Sequence, residues 1–186
     1  MHHTRTFREK LADDHGLPRV QRLTGGMKRL WGPGTIVLPS AREVDALMRR
    51  VRKGRLTTIN HLRAVLARRH HATTACPIVT GINARLAAGA AAEDESAGRK
   101  RVTPYWRTLK AGGELNPKYP GALNGQRRRL EREGHTVVAR GKRVFVADTS
   151  ARSRGCTSSP RQGEAHLTAP RPRPPRPPAS SPGYRG

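Results

Sequence analysis

The sequence predicts an α+β fold of the winged helix-turn-helix type, with a terminal β-hairpin and a disordered C-terminal tail. Three observations lead there. Apolar residues recur at helical spacing in three successive segments between Ser40 and Ala92, joined by short turns. Two short β-rich runs, 136–138 and 143–146, flank a turn containing Gly141. From about Ser150 onward the chain is dominated by Ser, Pro, Arg and Gly, and eight of its fifteen prolines lie in 149–186.

The first forty residues read as an N-terminal arm laid on the domain. Gly25-Gly26 and Gly32-Pro33-Gly34 break any long helix there, and Thr35-Ile36-Val37-Leu38 reads as a strand ended by Pro39. Trp31 is expected to anchor the arm by packing, ahead of any role in stacking on a base. Ser40 with Glu43 three residues on has capping-box spacing, and Val44, Leu47, Met48 and Val51 share one face of the helix that follows. That helix stops at Lys53-Gly54. A second starts after Thr57-Thr58, where a hydroxyl can accept from a free first-turn amide, and turns Ile59, Leu62, Val65 and Leu66 inward.

A third helix opens near Thr74 or Cys76, with Pro77 where a missing N–H costs nothing. Ile78, Ile82 and Leu86 repeat every four residues, and Gly81 with a run of alanines makes the helix slim enough for close backbone approach. Two helices joined by a short turn, the second flanked by arginine, outline a helix-turn-helix. A charged loop is expected from Glu93 to Arg101, then a short helix over about 122–133 stopped by Gly134, then the hairpin. The domain so defined spans 41–148. The tail, 149–186, centres on Pro170-Arg171-Pro172-Arg173-Pro174-Pro175-Arg176-Pro177-Pro178 and suits extended polyproline II.

Charge sets the partner class. Thirty-seven Lys and Arg against thirteen Asp and Glu give a net charge of +24 over 186 residues. The tail holds +6 and the first forty residues +4, which leaves +14 on 41–148. A basic excess located on the folded part points to double-stranded DNA as the partner. Cys76 and Cys156 form no metal or disulfide pattern, and His61, His70 and His71 lack metal spacing, so neither a metal nor a cofactor is expected. No apolar run reaches the ~18 residues of a membrane span and no signal-peptide core is visible. A cytoplasmic, nucleoid-associated monomer with no membrane contact is the expectation.

Residues 103–108 read Thr-Pro-Tyr-Trp-Arg-Thr. Gly113, Tyr119-Pro120-Gly121 and Leu130-Glu131-Arg132-Glu133-Gly134 follow, and Val51-Arg52-Lys53-Gly54-Arg55-Leu56-Thr57-Thr58 precedes them. Together, over residues 43–148, these resemble the DNA-binding domain of the O6-alkylguanine-DNA alkyltransferase family, and within it the alkyltransferase-like proteins that lack the active cysteine. In that family the loop is Pro-Cys-His-Arg-Val. Pro104 and Arg107 match its first and fourth positions, Tyr105 stands at the cysteine and Trp106 at the histidine. Glu133 matches the glutamate that completes the family's Cys-His-Glu network. Departures extend further: Ile59 stands where the family has the tyrosine that turns the nucleotide out, and Ile78 where it has the arginine that fills the vacated space.

The resemblance implies a lesion pocket of Pro104, Tyr105, Trp106, Arg107, Tyr119 and Glu133. It implies DNA contacts at Arg52, Lys53, Arg55, Thr57, Thr58, Arg63, Gly81, Arg85 and Lys110. It further implies recognition of O6-alkylguanine in duplex DNA without methyl transfer, with downstream repair proteins as further partners. Direct dealkylation needs a thiolate prepared by a base, which a phenol beside an indole does not supply. Two alternatives stand beside this reading. One is an active methyltransferase using Cys76, whose thiolate a helix N-terminus would favour. The other is a winged-helix transcription or nucleoid protein indifferent to lesions.

Overall fold

Ser40 accepts from the Glu43 amide while the Glu43 carboxylate accepts from the Ser40 amide, so the capping box starts α3 (Ala41–Arg49) as the sequence predicts. The structure is a computed structural model, and it describes residues 4–147. Six helices and three small sheets make an α+β fold. The polyproline tail and Cys156 lie outside the described residues.

The first forty residues contribute α1 (Phe7–Ala12), β1 (Arg19–Arg22), α2 (Gly25–Trp31) and β2 (Thr35–Leu38). They are fastened to the domain at two places. Strand β2 pairs antiparallel with β1 and parallel with β4 (Thr74–Ala75), and its Ile36 and Val37 are buried. Helix α1 is held at its first turn by Glu93, whose two carboxylate oxygens accept from the Phe7 and Arg8 amides at 2.8 and 2.9 Å. A carboxylate at those free N–H groups also opposes the helix dipole favourably. Trp31 is half-buried at the end of α2, which buries none of its residues.

Helix α4 (Ile59–Arg69) begins where Thr58 accepts from the His61 amide at 3.2 Å and buries Leu62 and Leu66, as its period requires. β3 (Thr57–Thr58), just before it, pairs parallel with β5 (Thr108–Leu109). Helix α5 (Pro77–Ser96) starts at Cys76, with Pro77 in its first turn. It differs from the expected pattern in two respects. Its buried face consists of small residues, Ala84, Ala87, Ala88 and Ala91, and these pack on Val44, Leu62, Leu66 and Tyr105. The four-residue apolar repeat points the other way, with Ile78 68% and Ile82 55% exposed. The helix also runs on to Ser96, through residues expected to be loop. Three consecutive acids at a helix C-terminus oppose the dipole, and tertiary contacts hold them there: Glu93 caps α1, Asp94 meets Arg8 and Arg99, and Glu95 meets Arg129.

Helix α6 (Ala122–Arg132) ends before Gly134, and the hairpin β6 (Val137–Arg140) with β7 (Arg143–Val146) turns at Gly141. Leu130, Val137 and Val146 from these elements join Leu56, Leu109 and Leu115 in a second cluster. Trp106 packs against both clusters and joins them.

Gly89 is fixed by close approach. A Cβ there would lie 2.4 Å from the Phe7 ring of α1. Gly89→Ala is therefore expected to destabilise the protein by about 1–3 kcal/mol through overpacking. Combining it with Phe7→Ala should recover part of that loss, since the clash partner is then gone. Denaturant melts of the two single variants and the double variant check this, and simple additivity would contradict the contact.

Candidate functional site

The loop from Thr103 to Thr108 has no long element to hold it, so side chains do. Thr103 donates to the buried Asp45 of α3, and Pro104 leads into a 3-10 turn over Tyr105–Arg107. Gln126 of α6, fully buried, donates to the carbonyls of Trp106 (3.0 Å) and Thr108 (3.4 Å) and accepts from the Asn116 amide at 2.7 Å. A buried amide with its carbonyl and NH2 groups all engaged fixes a loop as firmly as a strand pair would. Neither Asp45 nor Gln126 stands out in the sequence. Each is a polar residue on a helix, and only packing puts it inside.

Glu133, just past the end of α6, is the convergence point. Its carboxylate accepts from Trp106 Nε1 (2.8 Å), from Arg107 Nε (3.0 Å) and Nη2 (2.8 Å), and from the Gly54 amide (3.3 Å). The remaining Arg107 branch donates from Nη1 to the Val51 carbonyl at 2.6 Å. Three segments that the family resemblance singles out, 51–58, 104–107 and 130–134, thus meet at one carboxylate. The hydrogen bond from Trp106 ties the loop directly to the end of α6.

Tyr105 is 1% exposed. Its ring meets those of Trp106 and Tyr119 edge-on at 5.4 and 5.6 Å, and its hydroxyl donates to the Pro120 carbonyl. The Arg129 guanidinium lies 4.7 Å from the Trp106 ring centre and 5.4 Å from that of Tyr105, held by a two-pronged bond to Glu95 at 2.8 and 2.6 Å. Burial pushes the Tyr105 phenol above its ordinary value, and the nearby Arg129 offsets this in part. Burial raises Tyr119 as well.

Beside these rings lies an open cleft of about 730 Å³. Phe7, Arg85, Gly89 and Glu93 line one wall, and Lys118, Tyr119 and Pro120 the other. Of the lesion-pocket residues expected from the sequence, Tyr119 reaches this cleft, whereas Arg107 and Glu133 spend their polar atoms on each other and their surroundings.

The residues expected at DNA divide in the same way. Arg52, Lys53 and Arg55 are exposed around the Gly54 turn, and Arg85 is exposed on α5. Thr57 is buried and Thr58 caps α4. Arg63 is bound to the Ala75 carbonyl and the Thr74 hydroxyl, and Lys110 to Glu114 at 2.6 Å. Cys76 occupies the N-cap position of α5 with no side-chain capping hydrogen bond, half-buried and outside the cleft lining. Arg69 pairs with Glu43. Among the described residues no group of three or more His, Cys, Asp or Glu side chains could hold a metal ion, and no helix is long and apolar enough to cross a membrane.

Burial by itself would raise the Glu133 carboxyl, but the hydrogen bonds from Arg107, Trp106 and Gly54 outweigh it and hold the group below its usual 4.5. A folded-state value below the unfolded one gives stability that is complete above about 4.5 and is lost as pH falls through the folded value. Glu133→Gln is expected to cost about 2–4 kcal/mol at pH 7, since it leaves the half-buried Arg107 unneutralised. The difference from the wild type should narrow near pH 3. Denaturant melts at the two pH values test this, and an equal difference at both would show that the charge of Glu133 contributes nothing.

Compared with models of known protein families, with curated proteins and with solved structures, the chain matched none.

Proposed function

We propose that this chain is a duplex-DNA-binding protein of winged-helix type, similar to the alkyltransferase-like proteins, that recognises alkylated guanine and leaves the alkyl group in place. The observation that carries the reading is the convergence of Trp106, Arg107 and the Gly54 amide on Glu133. A resemblance confined to short motifs would not require those motifs to touch. In this reading α4 and α5 are the helix-turn-helix and the β6–β7 hairpin is the wing.

The chemistry of the loop supports recognition over repair. Methyl transfer to an enzyme needs a nucleophile ionised near neutral pH, and Tyr105 is buried, with its phenol pushed further from ionisation. Trp106 is likewise committed, with its one N–H donor spent on Glu133. What remains available is the cleft beside them, which the buried Tyr119 borders and where Arg85 and Lys118 offer positive charge. A base turned out of the duplex could enter there, with Arg85 and Lys118 facing its phosphates. Exposed Arg52, Lys53 and Arg55 would then neutralise flanking phosphates.

The test is a binding titration at several salt concentrations against matched duplexes with and without O6-methylguanine. Salt-dependent binding to both is expected, with the alkylated duplex bound about tenfold or more tightly. Lys53→Ala and Arg55→Ala should weaken both alike and each lower the salt slope by about 1. Equal affinity for the two duplexes would remove lesion recognition and favour a general DNA-binding protein. Absence of salt-dependent duplex binding would remove the whole reading.

A further inference from the structure

The hairpin built from β1, α2 and β2 carries charge of one sign. From His15 to Arg42 the sequence holds no Asp or Glu, and Arg19, Arg22, Lys28 and Arg29 are all exposed there. Arg19 donates to its neighbour Gln21, whereas Arg22, Lys28 and Arg29 have no hydrogen-bond or ion-pair partner among the described residues. By contrast Arg8, Arg49, Arg107 and Arg129 each meet an acid. Like charges gathered on one short hairpin repel, and a polyanion spanning them removes the repulsion. Apolar surface lies among these cations. Met27 is 37% and Leu30 72% exposed, three residues apart on one face of α2, a helix that buries none of its residues.

The place of the hairpin in the fold decides which polyanion it meets. Strand β2 runs along the turn between α4 and α5. The amides of Thr35 and Thr73 each donate to the other's hydroxyl at 3.0 and 3.3 Å, Ile36 and Val37 pair with Thr74 and Ala75, and Cys76 donates to the Val37 carbonyl at 2.9 Å. Gly34, at φ +139°, is fitted closely to the same turn, since a Cβ there would collide with the Thr73 side chain. Arg22 pairs with Thr35, so the connection that carries α2 leaves the sheet and re-enters it beside Thr73. That turn belongs to the helix-turn-helix of the reading above. The β6–β7 hairpin packs on the other apolar cluster, through Val137 and Val146, while β2 packs on the first through Val37. A duplex lying along the α4–α5 turn therefore meets the cations of the arm next.

We propose that the β1–α2–β2 hairpin is a second wing, which lies along duplex DNA beside the segment that α4 and α5 engage. Arg19, Arg22, Lys28 and Arg29 contact phosphates, and Met27 and Leu30 lie against the apolar sugar edges between them. The inference rests on the duplex-binding reading above and adds to it a surface outside residues 43–148, which carry the family resemblance. Contacts to phosphate and sugar hold no base information, so the hairpin lengthens the footprint and raises affinity for every sequence alike.

The experiment uses the full chain in salt titrations against undamaged duplex, and against duplexes of decreasing length. Arg22→Ala/Lys28→Ala/Arg29→Ala should melt at the wild-type temperature, because the three side chains are exposed and α2 buries no residue. It should lower the salt slope by about 3 and weaken binding about a hundredfold near ~0.1 M salt. Arg22→Lys/Arg29→Lys should keep the wild-type slope. Met27→Ala/Leu30→Ala should keep the slope as well and bind about tenfold more weakly. As the duplex is shortened, wild-type affinity should fall at a length that leaves the triple variant unaffected. An unchanged slope in the triple variant, with the wild type still binding duplex, overturns the second wing and leaves duplex binding in place. Failure of the wild type to bind duplex at any salt overturns both. Unchanged duplex binding by the triple variant, together with loss of binding to vesicles of anionic phospholipid, assigns the hairpin to a membrane surface and overturns the wing.

Discussion

A single carboxylate ties three distant segments of this protein together. Glu133 follows the last helix, and the groups that bind it come from a turn 79 residues earlier and a loop 26 to 27 residues earlier. None of these segments has regular structure long enough to fix itself. The 3-10 turn at Tyr105–Arg107 is three residues long, and the Gly54 turn separates two helices. Arg107 contributes a fixed planar fork and Trp106 one directional donor, so the carboxylate sets orientation as well as position. Because Trp106 also packs against both apolar clusters, the hydrogen-bonded node and the two cores constrain one another.

The same economy of elements explains helix α5. Its alanine face lets it lie close to α3 and α4, and those alanines share one apolar cluster with Tyr105. Close approach on one side leaves the larger residues of the helix to the other side. The acids at its C-terminal end then serve as anchors for α1, for Arg99 and for Arg129, and through Arg129 they reach the aromatic pair. A stretch that looks in sequence like a charged insertion is therefore part of the frame around the loop.

Tyr105 and Trp106 set the chemistry of the loop, and Trp106 ties it to Glu133. An indole N–H donates to a carboxylate as an imidazole N–H does, but it has no basic nitrogen to pass a proton on. The phenol beside it is enclosed by two rings and a guanidinium. Next to the loop lies the open cleft lined by α5 and by residues 118–120.

Local rules were enough for much of the fold. The Ser40–Glu43 capping box, the Thr58 cap, Pro77 in the first turn of α5, the strand at 35–38 and the hairpin around Gly141 each follow from interactions within a few residues, and each was legible in the sequence. The sequence set Trp106 and Glu133 among the lesion-pocket residues, but no local signal marks the hydrogen bond between them. Tertiary structure alone decided which face of α5 is buried, because alanines and isoleucines at helical spacing both suit an interior, and the choice depends on how closely the neighbouring helices must approach. It also decided that Asp45 and Gln126 turn inward, that the acids of 93–95 remain helical and that the first forty residues are fastened to the core. In each case the partner is distant in sequence, and the energy that settles the question is the satisfaction of a polar group or the filling of a volume that exists only after the chain has folded.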